Sequence, residues 1–186
     1  MKEKSSLKIW LTGLLATGSV ALVCFGVAKF LGYHSFAFAW TLNFLLMAWF
    51  TSLVSAILPK LDASYFLPKP FEKDGKIYKY AGVLAYRKLL ALLRWDKMMP
   101  KGVTVQPNAA ALQQLEYNTR VSETGHTLIF LLVLVVTVVM TDSLKQAKWL
   151  WFTNILLNVY PVLLQRYNRP RYLRLLQRFN VAERPK

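Results

Sequence analysis

Four long apolar stretches limit what this chain can fold into. They contain almost no Asp, Glu, Lys or Arg and cover residues 9–29, 35–58, 124–141 and 149–165. A helix of about 20 apolar residues matches the hydrocarbon thickness of a bilayer, and the last two stretches lie at the short end of that range. We therefore predict an all-α integral membrane protein with about four transmembrane helices, in which residues 1–186 form a single membrane domain.

The composition supports a membrane protein over a soluble globule. The chain is 55% hydrophobic and 14% aromatic, yet its formal net charge is +15. Three basic residues precede the first stretch, eleven lie between Lys60 and Arg120, and seven follow from Arg166 onward. Because Lys and Arg concentrate on the cytoplasmic side of membranes, both termini and the segment 60–123 are predicted to be cytoplasmic.

The segment 60–123 has the pattern of helices that lie in the membrane interface. Asp74 and Gly75 indicate a turn, and apolar residues then recur at helical spacing from Lys76 to Trp95, between many basic residues. A basic helix over 166–180 repeats the pattern. Such helices place their apolar side in acyl chains and their basic side on anionic headgroups, so membrane lipids are the predicted partners and nucleic acid is not.

A second pattern brings ionisable residues to one edge of a helix near the membrane boundary. At about 100° per residue, Glu116, Arg120 and Glu123 share one face, and His126 follows one turn later. Charged groups near hydrocarbon are usually kept for a partner or a reaction. We predict a catalytic group of His126, Glu123 and Glu116, with His126 as a general base oriented by Glu123. The alternative is a simple Glu116–Arg120 ion pair beside a histidine at the headgroup level.

A cluster of arginines follows the last apolar stretch. Guanidinium groups hold phosphates or carboxylates through paired hydrogen bonds, although anchoring at the cytoplasmic side would also account for the arginines. Polar side chains accompany them, and anchoring does not explain these. The predicted substrate-binding residues in and around this region are Arg120, Asn158, Gln165, Arg166, Asn168, Arg169 and Arg171.

A metal site is not predicted. The chain has only two histidines, His34 and His126, and the predicted topology places them toward opposite sides of the membrane. A di-iron carboxylate site would need two Glu-x-x-His pairs with further carboxylates.

Three segments, in this order, resemble the glycosyl-4,4'-diaponeurosporenoate acyltransferase family of small bacterial membrane proteins. They are PFEKDGKIYKYAGV, then ETGH preceded by Glu116 and Arg120, and finally NVYPVLLQRYNRPRYLRLL. The resemblance covers about Leu67 to Leu176, and QRYNRPR is its most specific part. Glu72 and Tyr78, in the first segment, complete the predicted substrate-binding residues.

The resemblance implies transfer of a fatty acyl group to a sugar hydroxyl of a glycosylated carotenoid or a related glycolipid, at the cytoplasmic face of a bacterial cell membrane. An acyl-coenzyme A would then be the co-substrate, and no cofactor would be tightly bound. Two other classes fit the residues alone. One is a small membrane methyltransferase or reductase that binds a nucleotide cofactor, and the other is a lipid-binding subunit without catalytic activity.

Overall fold

A computed structural model describes residues 2–54, 60–72, 74–94 and 109–182. Residues 55–58 of the predicted second span, and residues 73 and 95–108 of the predicted interfacial segment, lie outside this description. All regular elements in the described ranges are helical. They are α1 (Lys2–Leu31), α2 (Phe36–Trp49), α3 (Ile77–Tyr80), α4 (Val83–Leu92), α5 (Ala109–Met140), α6 (Leu144–Asn154) and α7 (Tyr160–Ala182).

Shorter helical turns connect some of these helices. A π turn over Phe50–Val54 continues α2, and a second over Ile155–Val159 joins α6 to α7. Two 3₁₀ turns, Ser64–Phe66 and Pro70–Glu72, precede α3.

Three helical segments of the described chain are long and apolar enough to cross a membrane: Leu11–Leu31, Phe36–Leu53 and Ala109–Met140. They correspond to the first three predicted stretches, although α5 begins 15 residues before residue 124, where the third was predicted to start. The fourth stretch, 149–165, is divided among the end of α6, a π turn and the start of α7. The all-helical membrane class is thus supported, while the count of four spans and the cytoplasmic termini stay predictions.

The outer surface of α1 explains why this chain needs a bilayer. Leu14, Leu15 and Leu22 are largely exposed on this helix, and Phe30 is 83% exposed. A row of large apolar side chains on one helix is too extensive a patch for a soluble monomer. Acyl chains cover such a surface at no cost in hydration.

By packing, the chain divides into two compact units, and its description as one domain stays a prediction. The first unit comprises Met1–Pro59 and Gly125–Val159. Ser35 begins α2 by accepting a hydrogen bond at its hydroxyl from the Phe38 amide, at 3.1 Å. In the same unit, Phe36 packs edge-on against Trp149, with ring centroids 5.3 Å apart.

The second unit comprises Lys60–Thr124 and Tyr160–Lys186. Here α4 packs on α7 through Tyr86, which stacks on Tyr160 with 5.1 Å between ring centroids. Burial raises the pKa of Tyr86 to about 12, so its hydroxyl stays neutral in the physiological range. The single helix predicted from Lys76 to Trp95 is interrupted, because Gly82 adopts a left-handed conformation (φ +80°) that ends α3 before α4 begins.

The predicted turn at Asp74 and Gly75 is confirmed, and Gly75 is required there. Its φ is +81°, and a Cβ at this position would lie 3.0 Å from the Tyr167 carbonyl oxygen and 3.2 Å from the Tyr167 Cα. Both are backbone atoms of α7, which cannot move aside as a side-chain end can. Gly75 therefore allows the turn to approach the helix that carries most of the arginines.

Replacing Gly75 with Ala is expected to lower the free energy of unfolding by about 1–3 kcal/mol, since the alanine would combine a left-handed backbone with backbone overlap. Denaturant titration of the detergent-solubilised protein measures this loss. Gly13→Ala is the matched control, because nothing lies within 4 Å of a Cβ at that helical position. Equal stability of the two variants would contradict the assigned role of Gly75.

Candidate functional site

Six charged side chains of the second unit form a compact group, which we call the arginine–glutamate cluster. Glu72 comes from a 3₁₀ turn, three members come from the first half of α5, and two come from α7. Three carboxylates thus face three guanidiniums, and their formal charges balance. The members are Glu72, Glu116, Glu123, Arg120, Arg166 and Arg169.

Glu123 is the centre of this cluster. Its Oε1 accepts a hydrogen bond from Arg166 Nε at 2.6 Å, and its Oε2 accepts one from Arg169 Nη2 at 2.5 Å. The Glu123 side chain is fully buried. A buried carboxylate is tolerated only when opposite charge and hydrogen bonds replace its hydration, and two arginines provide both.

Each side-chain nitrogen of Arg169 has an internal partner. Besides its bond to Glu123, its Nε donates to the Thr119 hydroxyl at 2.8 Å, and its Nη1 donates to the Phe66 carbonyl at 3.0 Å. Its guanidinium also lies over the Phe66 ring, at 5.3 Å from the centroid. With 1% of its surface exposed and every nitrogen engaged, Arg169 fastens the segment around Phe66 to α7.

Arg166 joins two carboxylates and a tyrosine ring. Its Nη1 donates to Glu72 Oε1 at 3.3 Å in addition to the Glu123 bond, and its guanidinium lies 4.4 Å from the Tyr65 ring centroid. Burial alone would lower the pKa of Arg166. The charge and hydrogen bond of Glu123 outweigh burial, so its pKa is raised and the group stays charged.

Glu72 and Tyr78 are brought together, as their joint assignment to one site requires. The Tyr78 hydroxyl donates to Glu72 Oε1 at 2.5 Å, and the Lys69 amide donates to Glu72 Oε2 at 2.6 Å. Burial raises the pKa of Tyr78, and the hydrogen bond to Glu72 raises it further. Tyr78 therefore remains a neutral donor, fixed on the carboxylate.

The Glu116–Arg120 ion pair, which was the simpler interpretation of the α5 pattern, is present. Arg120 Nε donates to Glu116 Oε1 at 2.9 Å. Arg120 Nη1 donates to the Leu61 carbonyl at 2.7 Å and lies 3.4 Å from Asp62 Oδ1. Arg120 thus joins α5 to the chain segment that begins at residue 60.

The proposed pairing of Glu123 with His126 needs correction. Helical spacing allowed a hydrogen bond between them, but the bonds that the structure gives Glu123 come from Arg166 and Arg169, and the partner it gives His126 is Asn158. Two guanidiniums outcompete one imidazole for a buried carboxylate, because each is permanently charged. Catalytic roles for Glu123 and Glu116 stay predictions.

The arginines predicted to hold substrate fall into two kinds. Arg120, Arg166 and Arg169 have carboxylate partners, whereas Arg171 contacts the Tyr167 ring and donates to its hydroxyl. Gln165 and Asn168 are half-buried on α7 in the same unit. Substrate binding by these residues stays a prediction, and of the arginines Arg171 is the least occupied by acidic partners.

The first unit contains a network of uncharged polar side chains among its apolar residues. Asn158 Nδ2 donates to Asn43 Oδ1 at 2.6 Å and to Asn154 Oδ1 at 2.8 Å, and its Oδ1 lies 3.3 Å from His126 Nδ1. Asn43 Nδ2 also donates to the Thr153 hydroxyl at 3.1 Å. The three asparagines and Thr153 are each 1% exposed or less.

Backbone carbonyls fix the orientation of two of these amides. Asn43 Nδ2 donates to the Ala39 carbonyl at 2.9 Å, and Asn154 Nδ2 donates to the Phe130 carbonyl at 3.1 Å. A carbonyl can only accept, so the nitrogen of each amide must face it. The oxygens of Asn43 and Asn154 must then face Asn158.

This orientation determines the tautomer of His126. Since both neighbouring oxygens require donors, Asn158 presents its Nδ2 to them and its Oδ1 to the histidine. The His126 Nδ1 therefore carries the proton, and the lone pair of the neutral ring is on Nε2. A ring held in this tautomer can accept a proton at Nε2.

Sequence reasoning found His126 and Asn158 but missed Asn43, Asn154 and Thr119. Asn43 and Asn154 lie inside apolar stretches and carry no charge. A signal was available, because an asparagine in a membrane-spanning helix needs a hydrogen-bonding partner. Thr119 gave no signal, since a threonine on a polar helix needs no partner.

Comparison with protein families matches residues 62–178 to the family described as glycosyl-4,4'-diaponeurosporenoate acyltransferase. This range covers more than half of the 186 residues and contains the whole arginine–glutamate cluster, His126 and Asn158. The searches of curated proteins and of solved structures gave no match. The family is described by acyl transfer, so the match identifies the protein as an enzyme and favours an acyltransferase over a methyltransferase, a reductase or a lipid-binding subunit. The chain belongs to the glycosyl-4,4'-diaponeurosporenoate acyltransferase family.

Proposed function

We propose that this enzyme transfers a fatty acyl group from an acyl-coenzyme A to a sugar hydroxyl of a glycosylated carotenoid acid or a related glycolipid. The family match supports the reaction class and a glycosyl-carotenoid acceptor. The observation that carries the mechanism is the contact between His126 Nδ1 and Asn158 Oδ1 at 3.3 Å, from which we infer the tautomer of His126.

In this mechanism His126 acts as the general base. Its Nε2 takes the proton of the acceptor hydroxyl while that oxygen forms a bond to the thioester carbonyl carbon. The carbon–sulfur bond then breaks, and the leaving thiolate receives the proton from the imidazolium. Asn158 stays hydrogen-bonded to Nδ1 throughout and stabilises the charged ring between the two transfers.

The membrane supports this reaction by holding the acceptor. Three candidate spanning helices suit an acceptor with a long apolar body, whose sugar would lie at the interface. A water-soluble thioester would arrive from the side that carries most of the basic residues, which we place in the cytoplasm of a bacterial cell. We propose no tightly bound cofactor.

Protein reconstituted in lipid and supplied with radiolabelled acyl-coenzyme A is expected to label a glycosylated carotenoid acid but not the same acid without its sugar. The sugar provides the attacking hydroxyl, so its removal should reduce product to background. Thin-layer chromatography of the extracted lipids measures the product. Labelling of the sugar-free acid at an equal rate would contradict the proposed acceptor, and labelling by free fatty acid alone would contradict the donor.

A further inference from the structure

Two arginines of the second unit lie near the ring of the same tyrosine. Arg87 from α4 and Arg171 from α7 have their guanidinium carbons 6.0 Å and 3.8 Å from the Tyr167 ring centroid. Arg171 also donates to the Tyr167 hydroxyl. Tyr167 is 3% exposed, while Arg87 is exposed and Arg171 is half-buried. A buried ring thus holds two cations at the surface of the unit.

These two arginines differ in their charge balance from four other arginines of the unit. Arg120, Arg166, Arg169 and Arg174 each have a carboxylate within 4.0 Å. Within the described parts of the chain, neither member of the Arg87–Arg171 pair has one. Because both lie near the Tyr167 ring, their guanidinium carbons are no more than about 10 Å apart, and an anion held by both would offset the repulsion between the two charges.

We propose that Arg87 and Arg171 form an anion site that binds a phosphate group of an amphiphile. Arginine suits this ligand because its planar fork gives phosphate oxygens two parallel hydrogen bonds, and because it can stack on an aromatic ring at the same time. Tyr167 holds the Arg171 fork against its ring, at 3.8 Å, which reduces the side-chain entropy lost on binding, and Arg87 lies at 6.0 Å from the same centroid. Arg166 and Arg169 suit this role less well, because buried carboxylates already contact their guanidiniums.

The phosphate can come from two sources. One is the acyl-coenzyme A donor, whose phosphates would bind here, and this assignment rests on the proposed function. The other is the headgroup of an anionic membrane lipid. Both are amphiphiles whose polar part carries a phosphate ester, so the site recognises the same chemistry in each case.

The donor is tested with coenzyme A itself, which binds without turnover. Calorimetric titration of protein in zwitterionic nanodiscs is expected to give an affinity at least about tenfold weaker for the Arg87→Gln/Arg171→Gln variant, because charge-assisted hydrogen bonds are lost. The control variant, Arg174→Gln/Arg178→Gln, removes the same charge from the same unit. Its affinity is expected to stay within about threefold of the parent, since general attraction alone is reduced.

The lipid source is tested by counting phosphatidylglycerol molecules that remain bound to the purified protein in native mass spectrometry. Loss of a bound lipid from the Arg87/Arg171 variant, but not from the control, assigns the site to a headgroup. If coenzyme A affinity and lipid retention are both the same in the two double variants, the anion site is refuted. Binding that depends on Arg87 and Arg171, without any acyl transfer by the parent protein, would uphold the site while refuting the proposed function.

Discussion

Replacement of His126 by Gln is expected to lower the acyl-transfer rate by about 10² or more, the usual contribution of a general base. Glutamine can still donate a hydrogen bond to Asn158 from its amide, which preserves the network beneath it. It cannot take up a proton at neutral pH. The effect should therefore fall on the rate constant for turnover and leave the amount of folded protein in the membrane unchanged.

His34 provides the control for this experiment. It is the other histidine of the chain, it is exposed, and it packs edge-on against Tyr33. His34→Gln is expected to retain the parental rate. Should the His126→Gln protein be folded and turn over at that same rate, the general-base role would be wrong, and His126 would be only a polar member of the asparagine network.

The membrane class could be predicted from the sequence, because a helix that crosses the hydrocarbon layer must be apolar over its whole length of about 20 residues. Helices of about 20 residues with few charges are typical of membrane spans, and three of the apolar stretches coincide with candidate spans. The fourth stretch was less predictable. Its π turn over Ile155–Val159 has no sequence signature, and local hydropathy does not reveal where the register of a helix changes.

The arginine–glutamate cluster shows where helical spacing stops being informative. Spacing placed Glu116 and Arg120 together, and their ion pair is present at 2.9 Å. It could not reveal that Arg166 and Arg169, more than 40 residues later, would supply the partners of Glu123. Those contacts depend on how separate elements pack, and the sequence alone offered the nearer His126 as an equally reasonable partner.

The asparagine network was harder to predict from the sequence than the arginine–glutamate cluster, again because its contacts join separate elements. Asn43 lies in an apolar stretch where one uncharged polar residue hardly changes the hydropathy. Its side-chain partners Thr153 and Asn158 lie on α6 and in the π turn that follows, more than 100 residues later. Only the packing of α2 against α6 and the following π turn makes the three amides one network. The sequence therefore identified single polar residues of this unit but not the set that orients His126.

Replacing Glu123 with Gln is expected to lower the free energy of unfolding by about 3–5 kcal/mol. The variant keeps the shape of the side chain, but its amide nitrogen would face a guanidinium that also donates, and the two buried arginines would lose their shared countercharge. This loss is a large part of the total stability of a typical domain. Denaturant titration in detergent micelles measures it directly.

The matched control is Asp74→Asn, which removes a carboxylate from an ion pair of another kind. Asp74 and Arg174 are 63% and 46% exposed at their side chains and 3.2 Å apart. Water already solvates this pair, so its loss should cost no more than about 1 kcal/mol. A similar cost for Glu123→Gln would show that the buried cluster contributes little to the fold.

A second variant separates a structural role of Glu123 from the catalytic role that its position beside the membrane first indicated. Arg166→Gln removes one of the two guanidiniums, so the double variant with Glu123→Gln restores the charge balance. If Glu123 mainly neutralises the arginines, the double variant should lose less stability than the two single variants lose together. The reason is that Arg166→Gln removes a charge that Glu123→Gln leaves unpaired. If Glu123 acts in catalysis instead, Glu123→Gln would abolish acyl transfer at parental stability, and Arg166→Gln would not recover any of the activity.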